Sequence, residues 1–155
     1  MRTLSRKMDV VIALGIGLVL LAVVLIFGEP LYLGAWYYLL SWLCLVGLVQ
    51  IVRAPPLFTT GAVAALALSF LLYWIWKISL PYPQGLLGLG HLFSLRGLGI
   101  AAVMAAVLVK RRQTSPGTVF WIGLLACSAG FVVAQLIECR TAMYCGAISS
   151  FLYKP

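Results

Sequence analysis

Two cysteines six positions apart, Cys139 and Cys145, stand in a polar stretch near the end of the chain. In an oxidising compartment such a pair forms a disulfide, and closing so short a loop contributes about 2 kcal/mol. The same pair could exchange electrons with a partner thiol or a quinone. That chemistry wants a cysteine of lowered pKa, and only Arg140 beside Cys139 points that way. A structural staple is the expected role. Cys44 and Cys127 fall within apolar runs and read as small packing residues. No CxxC pair is present, which argues against a zinc or thioredoxin-like site.

Arg96 is the second candidate. A cation inside a membrane segment is costly unless it snorkels, meets water or finds a partner. His91, the one histidine, precedes it by about a turn, and Glu29 and Glu138 close apolar runs on the same side. Arg96, His91, Glu29 and Glu138 together describe a possible polar vestibule for a ligand or ion. The plainer expectation pairs Arg96 with one carboxylate and leaves His91 as an interfacial side chain. A single histidine provides neither a bis-histidine haem nor a multi-histidine metal site, so no cofactor and no metal are expected. The chain also lacks a phosphate-binding loop, a serine nucleophile with its base and HExxH. Asp9 reads as a carboxylate favoured by the start of its own helix. Gln50 and Gln135 are placed to bridge helices, at about 1 kcal/mol each.

Such residues need membrane helices to position them. Of 155 residues, 64% are hydrophobic and 9% charged, against roughly 25% charged in soluble domains. Too few charges remain to cover a water-facing surface. The sequence predicts an all-α integral membrane helical bundle of one domain, 1–155, with about five transmembrane helices and short loops. Candidate helices are 10–27, 31–52, 57–76, 89–109 and 119–137, with a tail at 138–155. The first run follows Arg2, Arg6 and Lys7 as a signal peptide would, but it is long for an apolar signal core and lacks a small-x-small cleavage site, so it reads as a retained helix. The fourth run is short. Gly97 to Val109 alone gives about 20 Å of helix, so the helix must begin earlier and carry Arg96 into the membrane, or Leu86–Leu95 forms a separate interfacial helix. The first arrangement is preferred.

Orientation follows from Lys110-Arg111-Arg112. With this triplet in the cytoplasm, Arg2, Arg6, Lys7 and Arg53 join it, giving seven cations inside against four outside (Lys77, Arg96, Arg140 and Lys154). Five crossings then run N-in and C-out; four, with one run re-entrant, would return the tail to the cytoplasm. The net charge of +8 is explained by these helix-end cations, and no basic, aromatic surface suggests nucleic acid. Small residues at four-residue spacing (Ala13 and Gly17; Gly61, Ala65 and Ser69; Gly97, Ala101 and Ala105; Ala126, Gly130 and Ala134) allow close helix approach within the bundle or against another protein. The expected function is non-enzymatic association in the lipid bilayer: an accessory subunit of a membrane complex, or an immunity-type protein that binds another membrane protein, self-association included. A bacterial inner membrane is the expected location. The alternatives are a small transporter or channel subunit with an outer vestibule, and a membrane thiol-disulfide oxidoreductase.

Overall fold

The computed structural model describes residues 5–28, 31, 33–79, 87–112 and 114–141. They form an integral membrane helical bundle of five helices: α1 (Arg6–Phe27), α2 (Ala35–Val52), α3 (Phe58–Ser79), α4 (Leu87–Lys110) and α5 (Pro116–Thr141). Each is long and apolar enough to cross a membrane.

The helix boundaries have local causes. Ser5 accepts a hydrogen bond from the Lys7 amide and starts α1 one turn before the apolar run. Gly34, at φ 86°, adopts a backbone shape that side chains resist, so α2 begins at Ala35 rather than at residue 31. Arg53 ends α2 in the left-handed region, with its amide on the Gln50 carbonyl. Ser115 caps α5 through the Thr118 amide, and Pro116 occupies the first helical position, where its missing N–H costs nothing. The Ser115-Pro116-Gly117 sequence is therefore a start signal as well as a break. Helix α4 begins at Leu87 and runs unbroken through Arg96, and α5 continues to Thr141, which puts Glu138, Cys139 and Arg140 on a helix instead of in a tail.

Cross-helix contacts show the helices alternating in direction. Arg6 of α1 meets the end of α2, Asp9 meets the start of α3, and Gly97 of α4 meets Gly130 of α5. The starts of α1, α3 and α5 thus share one end with the finishes of α2 and α4. Arg6, Lys7, Arg53 and Lys110-Arg111-Arg112 gather there, and it is called the basic end below. Helix α3 is the hub, packed against all four others, and it buries Phe58, Ala62, Val63, Leu66 and Phe70.

The small-residue stripes are used up inside the bundle. A methyl group on Gly97 would overlap the Gly130 carbonyl, and one on Gly130 would lie 2.5 Å from the Gly97 carbonyl. The α4 and α5 backbones touch because neither carries a side chain there. Gly17 likewise makes room for the Trp42 ring, whose Nε1–H donates to the Ala13 carbonyl at 3.3 Å.

At the basic end α1 clamps the α2–α3 hairpin through charge. Asp9 is buried, and its carboxylate accepts from the Thr59 amide (3.2 Å), the Thr60 amide (2.9 Å) and the Thr60 hydroxyl (2.6 Å). It caps α3, a helix 50 residues away, and is more than a favourable charge for its own first turn. Arg6 donates from Nη2 to the carbonyls of Arg53 and Ala54 (2.9 and 3.1 Å), where α2 ends. Each end of the hairpin meets the charge its helix dipole favours. Gln50 Nε2 donates to Thr59 Oγ1 at 3.0 Å, the bridge its position suggested.

Candidate functional site

Of the four vestibule candidates, Arg96 and Glu138 meet each other, and His91 stands apart from them. His91 is fully buried, walled by Phe70 (stacked, 4.5 Å between ring centres), Tyr73 (4.8 Å) and Phe131 (5.0 Å). It is a core residue and not an interfacial one. Arg96 is exposed and Glu138 half-buried, and the two are joined by Nη2 and Oε1 at 3.0 Å. Glu29 lies outside the described residues.

His91 belongs to a polar cluster far from the basic end, drawn from four helices. Tyr37 of α2 contacts its Nδ1 at 2.7 Å, and Ser69 of α3 contacts its Nε2 at 3.0 Å. Ser69 also donates to the Leu66 carbonyl at 2.7 Å, so its oxygen is free to accept from Nε2–H. Nδ1 then accepts from the Tyr37 hydroxyl, and every proton in the chain has an acceptor. The neutral Nε2–H tautomer is the one this geometry selects. One helix turn along α4, Ser94 donates to Gln135 Oε1 of α5 at 2.5 Å, and Tyr73 of α3 donates to the same oxygen at 2.7 Å. Gln135 Nε2 reaches Cys139 Sγ at 3.4 Å.

These groups cross-brace the bundle. Every buried side-chain nitrogen and oxygen among the described residues has a hydrogen-bond partner. In hydrocarbon, where an unpaired polar group costs several kcal/mol, such pairing fixes both the rotation and the register of α2, α3, α4 and α5. Both histidine nitrogens are engaged within the core, by Tyr37 and Ser69. Gln135 was legible as a bridging residue. Tyr37, Ser69, Tyr73 and Ser94 were missed, although Ser69 and Tyr73 one turn apart, and His91 and Ser94 likewise, repeat polar groups on a single helix face.

Arg96 snorkels. Its backbone lies beside Gly97, level with Gly130 and Ala134 of α5, while its guanidinium reaches Glu138, about a turn farther from the basic end. Nε donates to the Phe93 carbonyl at 3.3 Å, and the guanidinium carbon lies 4.8 Å from the Phe93 ring centre. Its side chain is 65% exposed, against 18% for Glu138.

Cys127 is buried, as a packing residue should be, whereas Cys44 faces outward from α2. Cys139 is buried on α5; Cys145 lies outside the described residues. Among the described residues no group of three His, Cys, Asp or Glu side chains could hold a metal ion. Grooves open on the lipid-facing surface of the described residues. One of about 640 Å³ separates α1 from α3, and one of about 370 Å³ separates α2 from α4. The chain matches no protein-family model, no curated protein and no solved structure.

Proposed function

We propose that this is a non-catalytic membrane protein that works by lateral association, receiving a transmembrane segment of another membrane protein between α1 and α3. The observation that carries this reading is the 640 Å³ groove, walled by Val19, Leu68, Leu71 and Trp74 and backed by Gly15 and Ala64. Gly15 has no neighbouring atom within 4 Å of where a side chain would begin, so the α1 backbone is bare where a second helix would approach. Helix α1 buries only Asp9, Ala13, Gly17 and Val24, and most of its surface is left for the bilayer or a partner. An accessory subunit and an immunity-type protein are two forms of this one activity. Transport is less well supported, because His91 is sealed inside the bundle while Arg96 lies outside it.

Photo-crosslinking side chains placed at Val19 and Leu68 test the reading in native membranes. Discrete protein adducts are expected at these positions and not at Ile100 or Leu125, which are exposed elsewhere. Gly15→Trp is expected to abolish them. Equal labelling at all four positions, or adducts that survive Gly15→Trp, would refute it.

We further infer that the basic end faces the cytoplasm of a bacterial inner membrane and that Cys139 pairs with Cys145 beyond α5. Thiol labelling of intact cells before and after reduction tests both. Labelling of this pair by an impermeant reagent only after reduction is the expected result.

A further inference from the structure

We propose that Arg96 and the groove between α2 and α4 form a binding site for an anionic phospholipid, with the headgroup phosphate on the guanidinium and an acyl chain along the groove. The site is independent of the α1–α3 groove and goes beyond the association reading. A guanidinium carries five N–H groups. Nε has the Phe93 carbonyl and Nη2 has Glu138, which leaves three N–H groups without a partner among the described residues, on a side chain 65% exposed.

The depth suits a lipid phosphate. From Lys110 to Arg96 is 14 residues, about 21 Å along the helix. A hydrocarbon layer of about 30 Å that begins at Lys110 therefore ends about 9 Å beyond the Arg96 backbone. Snorkelling carries the charge most of that way, to where phosphates begin. Glu138 takes one N–H of the guanidinium, and the three that remain are offered at that depth to a further acceptor.

Charge and shape then separate the two neighbours of Arg96. Glu138 approaches from α5. On the opposite side the groove is lined by Ser41, Leu45 and Leu48 of α2 and by Leu92, Leu95 and Leu98 of α4, with Arg96 itself at its edge. That surface is almost wholly apolar, and Glu138 forms no part of it. A phosphate arriving from the α2 side meets the free N–H groups and not the carboxylate, and its own chain fills the trough. A phosphate free in solution has no use for the trough.

Protein reconstituted in equal phosphatidylglycerol and phosphatidylcholine, then released into detergent for native mass spectrometry, tests the site. Wild type is expected to retain phosphatidylglycerol, and Arg96→Gln to lower that retention about tenfold. Glu138→Gln, which removes the carboxylate charge that competes for the guanidinium, is expected to raise it. Leu92→Trp fills the groove with the guanidinium intact and is expected to lower retention as well, while excess inorganic phosphate does not displace the lipid. Retention unchanged in Arg96→Gln overturns the proposal. So does loss in Arg96→Gln with full retention in Leu92→Trp and displacement by phosphate, which would make the site one for a soluble anion.

Discussion

Removing the Asp9 carboxylate measures how far the α1 clamp holds the bundle. In Asp9→Ala the Thr59 and Thr60 amides lose their acceptor, and both residues are buried. The Thr60 hydroxyl keeps the Asp9 backbone carbonyl at 3.2 Å and is not orphaned. Two unsatisfied buried donors cost about 1–3 kcal/mol each. Water reaches the helix ends at the membrane boundary, so the lower half of that sum applies, and a loss of about 3 kcal/mol is expected. Asp9→Asn retains one acceptor oxygen but turns an N–H towards a second donor, and should lose about half as much. Unfolding in mixed micelles with increasing SDS, followed by far-UV circular dichroism, gives both values. Combining Asp9→Ala with Thr60→Ala should cost less than the sum of the two, because the residues share a bond. If Asp9 served only the dipole of its own helix, Asp9→Ala would cost about 0.3–1 kcal/mol, and Asn would be no better than Ala. That outcome would refute the cross-helix cap.

Two further perturbations probe the other end and the helix seam. His91→Leu keeps the volume apolar but leaves the Tyr37 hydroxyl without an acceptor, so thermal unfolding in detergent should show a loss of about 2 kcal/mol, part of it recovered by adding Tyr37→Phe. Gly97→Leu forces α4 from α5 and is expected to abolish a monodisperse peak on size-exclusion chromatography, whereas Gly47→Ala, whose added Cβ meets no atom within 4 Å, should leave the peak unchanged.

The membrane class and the five helices were legible because hydrophobic run length is a local property, and so was the passage of α4 through Arg96. The pairing of Arg96 with Glu138 was legible as one of few choices, since the chain has three acidic residues. The rest of the polar architecture is non-local. His91 meets Tyr37 across 54 positions and Ser69 across 22, and Asp9 meets Thr60 across 51. No spacing rule connects such partners. Tyr37 also carried a competing signal, since it lies among Trp36 and Tyr38 like a residue of the interfacial aromatic belt. Cys44 misled because a lipid-facing surface is as apolar as a core, and an apolar run does not distinguish the two.

The place of α3 as hub has a consequence for biogenesis. A chain is made from its N-terminus, so α3 enters the membrane after Asp9 and before His91 and Gln135. Its first turn finds a cap already waiting. Its far half arrives with the Tyr73 hydroxyl lacking Gln135, which follows 62 residues later. Ser69 bridges that interval with the carbonyl of its own helix at Leu66. A chain halted before α5 would therefore have both partners of the Asp9 cap and still lack Gln135, the partner of Tyr73 and Ser94.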